Sequence, residues 1–128
     1  VISALLDLEL HQAGDGVDDI AAFEDEVCRR HGLPPEAGLA HRLSHFSHLF
    51  NGGYAAGYYV YLWAEVLEAE AFAAFEARGD AFDAELADSL RRHIFSVGNS
   101  RDPQQAFQAF CGHAPSAGAM LEKRGLAG

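Results

Sequence analysis

A chain of 128 residues is long enough for one helical core of modest size, and its net charge of −10 excludes nucleic acid, because phosphate binding needs a surplus of Lys and Arg. No apolar run reaches the roughly 18 residues needed to cross a membrane, and Asp7 and Glu9 interrupt the first apolar stretch, VISALLDLELHQ, so it does not read as a signal peptide. Two cysteines, Cys28 and Cys111, are too few for a disulfide framework or a metal knuckle and read as small buried fillers.

Apolar residues at Ile2, Leu5, Leu6 and Leu10 predict a first helix over Ile2 to Gln12, stopping at Gly14 and Gly16. Asp18 or Asp19 is placed to cap a second helix that runs to about Arg30 and ends at Gly32. Leu33-Pro34-Pro35 forces an extended break. Arg42 to Phe50 reads either as a short helix or as a strand leading into the Gly52-Gly53 turn. A long helix is expected from about Ala55 to Ala77, closed by Arg78-Gly79. Asp80 or Asp83 starts the next, with Phe82, Leu86, Leu90 and Ile94 on one face, to about Val97. Gly98-Asn99-Ser100 reads as a loop. Asp102-Pro103 then supplies a cap and a first-turn proline for a helix to Cys111, and Ser116 to Arg124 makes the last. The fold class is therefore all-α, a compact bundle of about six helices forming a single segment over residues 1–128, of soluble, cytoplasmic character.

The run FSHLFNGGYAAGYYVYLWAE, Phe46 to Glu65, concentrates the chemistry. Four tyrosines, Tyr54, Tyr58, Tyr59 and Tyr61, follow a glycine pair and His48, and a phenol needs a hydrogen-bond partner where Phe would not. On a helix, Tyr54, Tyr58, Tyr61 and Glu65 share one stripe at i, i+4, i+7 and i+11, while Tyr59, Trp63 and Val66 take the opposite side. Gly52 and Gly53 are suited to positive φ, which leaves backbone N–H groups open to a ligand. Gly57, inside the expected helix, costs roughly 1 kcal/mol against Ala. The plainer reading of the same residues is an aromatic-rich packing helix behind a glycine turn. Glu65 either holds a tyrosine hydroxyl or faces water.

Other constellations carry less. His41, His45 and His48 would align as metal ligands on one continuous helix, but no acidic supporting shell is evident, and no metal ligand is assigned in this chain. His93, Ser96 and Asp102 lack a nucleophile elbow. The acids at Glu24, Asp25 and Glu26 and at Glu65, Glu68, Glu70 and Glu76 read mostly as solvated helix faces.

FSHLFNGGYAAGYYVYLWAEVLEAEAFAAF, together with LLDLELH at Leu5 to His11 and SVGNSRDPQQAFQAFCGHAP at Ser96 to Pro115, resembles the C-terminal part of the thimet oligopeptidase / oligopeptidase A / peptidyl-dipeptidase Dcp family of zinc metallopeptidases. LLDLELH is similar to the family's Leu-Asp-x-x-x-His segment. The later string is similar to its Ser-x-Gly-Gly-Ser-x-Asp-Pro…Phe-x-x-Phe-x-Gly-Arg-x-Pro ending, with Asn99 in place of the second Gly and His113 in place of Arg. In this family, His-Glu-x-x-His and a further Glu hold zinc and supply the general base; this chain contains no His-Glu-x-x-His.

What the resemblance implies is the substrate-binding C-terminal segment of a zinc-dependent oligopeptidase or peptidyl-dipeptidase that hydrolyses short peptides, with zinc held by the upstream part of the polypeptide, none in this chain, and the isolated chain inactive. By position, His48, Gly52, Gly53 and Tyr54 become substrate contacts, Tyr61 the phenol that stabilises the oxyanion, and Tyr58 the second candidate; Tyr59 leaves the stripe and is structural. A segment cut from a larger domain would expose apolar surface and form homo-oligomers. The alternative is a standalone, non-catalytic helical module for interaction or ligand binding.

Overall fold

The computed structural model describes residues 1–127. Among them are seven α-helices, a 3-10 turn and a π-helical turn, with no strand, so the all-α class predicted from periodicity holds. The chain divides into two compact units, Val1–Leu62 and Trp63–Gly128.

In the first unit, α1 spans Ile2–Gln12 and α2 spans Ile20–Arg30. Asp19, not Asp18, caps α2, accepting the Ala22 N–H at 2.9 Å. The uncertain stretch after the prolines is helical but broken: a 3-10 turn at Leu43–His45 and a single-turn α3 at Ser47–Phe50. Leu6, Val27, Leu43, Phe46 and Leu49 form the core, with Ile2, Leu10, Phe23, Leu39 and Tyr58 packed around it. At about 1.5–3 kcal/mol per buried large side chain, this cluster is what makes helices of 11 residues persist.

Two acids thread this core. Glu24, read from the sequence as part of a solvated charge cluster, is fully buried. Its carboxylate accepts the Leu43 N–H and pairs with Arg42; its Oε2 has no further hydrogen bond and is compensated by that guanidinium. Burial without such partners would be prohibitive. Asp7 is the second such acid, with 0% exposure.

The longest helix, α4, begins at Val60 and runs to Arg78, five residues later than the pattern predicts at Ala55. Tyr54 to Tyr61 instead forms successive tight turns, with Gly57 N–H on Tyr54 O at 2.8 Å, Val60 N–H on Gly57 O at 3.1 Å and Tyr61 N–H on Tyr58 O at 3.3 Å. Ala56 sits at φ 52°, a left-handed conformation incompatible with a helix. Gly57 therefore lies in a turn and not in a helix interior.

In the second unit, α5 spans Ala84–Leu90, capped by Asp83 through the Leu86 N–H at 2.7 Å. It passes into a π-helical turn at Arg91–Phe95, closed by Ser96 N–H on Arg91 O at 2.8 Å, so the expected helix to Val97 ends early. Phe82, expected on its apolar face, precedes the cap and is 90% exposed. α6 spans Pro103–Cys111 with Asp102 accepting the Gln105 N–H at 2.9 Å, as its cap-proline signature predicts. α7 is Gly118–Lys123. Phe75, Leu86 and Phe110 form the core, backed by Ala71, Ala74, Leu90, Ile94 and Cys111. No helix among the described residues is long and apolar enough to cross a membrane.

Candidate functional site

The glycine pair behind α3 adopts the conformation expected of it. Gly52 has φ 111° and Gly53 φ 81°, a region costly for any residue with a Cβ. A Cβ on Gly53 would meet nothing within 4 Å, so the demand is conformational and not one of space. Neither amide N–H has a protein partner among the described residues.

The chain then folds Tyr54 back towards the start of α4. Tyr54 and Tyr61 stack with ring centroids 5.5 Å apart at 29°, and Tyr58 lies 5.0 Å from Tyr61. His48, on α3, is 6.1 Å from Tyr54, 5.9 Å from Tyr58 and 6.5 Å from Tyr61 by ring centroids. The residues expected to act together do come together. The reason differs from the one predicted, because a turn gathers them and a continuous helix stripe does not.

The members differ in setting. Tyr58 packs edge-on against the buried Phe46 ring at 4.7 Å and belongs to the rim of the core. Tyr61 is 48% exposed. Hydrogen bonding to the Tyr54 side chain, followed by partial desolvation and the neighbouring phenols, pushes the Tyr61 pKa up from its usual value near 10, so at neutral pH it is a phenol able to donate. Tyr59 and Trp63, expected on a packing face, are each about half-exposed, and only Val66 of that trio is buried. Glu65 neither holds a tyrosine nor stands alone. Arg124 grips it with two hydrogen bonds, of 2.8 Å from Nε and 2.6 Å from Nη2.

The residue missed by sequence reasoning is Asp7. Its Oδ1 accepts the Ala56 N–H at 2.9 Å and its Oδ2 the Tyr58 N–H at 2.8 Å, and His11 Nδ1 lies 2.9 Å from Oδ1. Its signal was an acid set among leucines, Leu5-Leu6-Asp7-Leu8, where an amphipathic helix would place an apolar residue. The spacing of four to His11 added a second cue.

The alignment of His41, His45 and His48 required one continuous helix, and the segment breaks at Phe46 between the 3-10 turn and α3. His41 instead lies 5.0 Å from the Phe46 ring. In the second unit, Glu70 is buried, accepts the Ser116 hydroxyl at 2.6 Å and lies 3.5 Å from His113 Nδ1.

The profile of Peptidase family M3 matches residues 1–126. The chain is 51% identical to oligopeptidase A of Escherichia coli (strain K12) over 83 residues, 65% of this chain and 12% of that protein. It is 36% identical to dipeptidyl carboxypeptidase of Salmonella typhimurium over 127 residues, 97% of this chain and 18% of that protein. It is 40% identical to a probable cytosolic oligopeptidase A of Arabidopsis thaliana over 128 residues, 96% of this chain and 18% of that protein. The chain belongs to Peptidase family M3. It spans between 12% and 18% of the length of these relatives.

Proposed function

We propose that this chain is the C-terminal, substrate-facing segment of a zinc-dependent oligopeptidase or peptidyl-dipeptidase that hydrolyses peptide bonds in short peptides. The observation that carries this reading is the convergence of His48, Tyr54, Tyr58 and Tyr61 behind the open Gly52-Gly53 turn, in a chain of this family. Relatives named oligopeptidase A and dipeptidyl carboxypeptidase both match, so the reading covers both cleavage modes.

The residues of this chain do not fit a zinc ion by themselves: among those described, no three His, Cys, Asp or Glu side chains gather as ligands. On this reading the metal and the general base belong to the upstream part of the polypeptide, residues 1–128 are one helical part of the catalytic domain, and the isolated chain is inactive. This chain's own contribution is donor groups. The Gly52 and Gly53 N–H groups, His48 and Tyr54 hold the peptide, and the Tyr61 hydroxyl donates to the oxyanion that develops as the scissile carbonyl becomes tetrahedral. Exposure favours Tyr61 for that role, and packing of Tyr58 on Phe46 makes it the second candidate.

Losing one donor to a developing oxyanion typically costs on the order of 10²–10³ in turnover. In the full-length enzyme, Tyr61→Phe is expected to lower kcat by that factor, with a melting temperature close to wild type; unchanged kcat on a short peptide would overturn the assignment. Stoichiometric zinc binding and peptide cleavage by the purified 128-residue chain would overturn the segment reading. Exposed Phe50, Phe72, Phe82 and Phe95 support self-association of the isolated chain, read by light scattering as dimers or larger; a clean monomer would remove that part.

A further inference from the structure

The geometry points to Asp7 as a positioning residue for the peptide-facing phenols: from α1, its carboxylate fixes the backbone of the Ala56–Tyr58 turn and thereby the mutual placement of Tyr54, Tyr58 and Tyr61. This rests on the reading of those tyrosines as substrate and oxyanion donors.

Distance decides the point. On an uninterrupted helix, Tyr54 and Tyr61 would be separated by about 10 Å along the axis, at 1.5 Å per residue. Their rings instead stack at 5.5 Å. The chain must therefore leave the helical path between them, although Ala-Ala-Gly-Tyr-Tyr-Val has the periodicity to follow it. The departure is at Ala56, at φ 52°, where a residue with a Cβ gives up roughly 1–2 kcal/mol.

What offsets that strain comes from 49 and 51 residues away. Each oxygen of Asp7 takes one N–H of the turn, Ala56 on Oδ1 and Tyr58 on Oδ2. Hydrogen bonds to an ionised acceptor are worth about 1.5–3 kcal/mol, so two of them exceed the cost at Ala56. A carboxylate suits the task because it presents acceptors only, and both donors are backbone groups whose positions set two Cα atoms directly. The acid is wholly enclosed, with His11 Nδ1 2.8 Å from its carbonyl oxygen and 2.9 Å from Oδ1. Its hydrogen bonds in the turn are to backbone N–H groups, so it acts through the backbone and not on the reacting groups.

Asp7→Asn separates positioning from packing. The shape is kept, but the side-chain NH2 now confronts one of the two backbone donors, and one bond of the clamp is lost. The experiment measures kcat, KM and melting temperature for Asp7→Asn, Tyr61→Phe and the double variant in the full-length enzyme on a short fluorogenic peptide. Asp7→Asn is expected to lower kcat about tenfold or more, and the loss is expected to shrink below about twofold in the Tyr61→Phe background, because neighbours acting through one group are non-additive. A merely structural Asp7 would lower kcat by the same factor in both backgrounds, which overturns the proposal.

Ala56→Val carries the same cycle if Asp7→Asn does not fold. Its side chain is exposed and leaves the Asp7 enclosure intact, while a β-branched residue resists φ 52°. Unchanged kcat in both Asp7→Asn and Ala56→Val, with Tyr61→Phe impaired, overturns the role of Asp7 and leaves the peptidase reading standing. Unchanged kcat in Tyr61→Phe overturns that reading, and the role of Asp7 with it.

Discussion

All four tyrosines lie in the unit Val1–Leu62, whereas six of the nine phenylalanines lie in Trp63–Gly128. The first unit brings three of its tyrosines, Tyr54, Tyr58 and Tyr61, together beside His48 through an irregular turn, and sets two buried acids, Asp7 and Glu24, on backbone N–H groups. The second buries one acid, Glu70, against side chains. It keeps a groove of about 480 Å³ walled chiefly by residues such as Phe72, Phe75, Leu90, Ile94, Phe95 and Phe107. Irregular backbone that is buried away from water must have its N–H groups satisfied, and the Asp7 carboxylate satisfies two at once. Regular helices satisfy their own and leave packing to decide. The difference is between a region organised by hydrogen bonds and one organised by apolar volume.

The largest expected effect comes from truncating one buried ring in each region. Phe46→Ala and Phe110→Ala should each cost about 3–5 kcal/mol of stability, measured by denaturant unfolding. Phe46 touches His41, His48 and Tyr58, so its loss should also cut peptide turnover in the full-length enzyme. Phe110 packs with Phe75 and Leu86, and turnover measured well below its unfolding transition should stay near wild type. Equal losses of turnover in the two variants would break the comparison.

A smaller effect tests the acids. In Glu70→Gln the Ser116 hydroxyl still finds an amide oxygen, so the cost should be about 1 kcal/mol. Asp7→Asn cannot satisfy both backbone donors and should cost clearly more in the same unfolding assay. If Glu70→Gln proves the more damaging, buried charge matters here through its electrostatics and not through the donors it accepts.

The helices and their caps were legible locally. Asp19, Asp83 and Asp102 each accept the expected N–H, because a cap is a contact three residues long. The start of α4 was not legible, because periodicity from Ala55 onward is helical and the force against it comes from Asp7, 49 residues earlier in the chain. The same holds for Glu24 and Glu70. An acid in a charged or apolar stretch looks solvated until its partner is known, and the partners are Leu43 with Arg42, and Ser116 with His113. The residues proposed to face the peptide could be singled out because phenols behind paired glycines are an unusual choice for a core. Their closeness could be expected, but the fold that produces it could not.

The subtlest effect lies at Cys111, where burial, reinforced by the Glu70 carboxylate, pushes the thiol up to about 11. At pH 8 about one thiol in a thousand is then thiolate, against roughly a tenth for the unshifted thiol near 9, so Ellman's reagent should react with native Cys111 on the order of a hundred times more slowly than after unfolding. The sign for stability follows from which form the fold favours. A raised pKa means the native state prefers the neutral thiol, so that contribution is complete below the unfolded value near 9 and is lost as pH climbs through about 11. Cys111→Ala should flatten the loss of stability between pH 9 and 11 while removing little else. Cys28, raised first by burial and then by Asp25 and Glu24, works in the same direction in the other unit. If Cys111→Ala leaves the alkaline slope untouched, the apolar core of the second unit is open enough to solvate a thiolate, and the contrast between a volume-organised and a hydrogen-bond-organised region loses its footing.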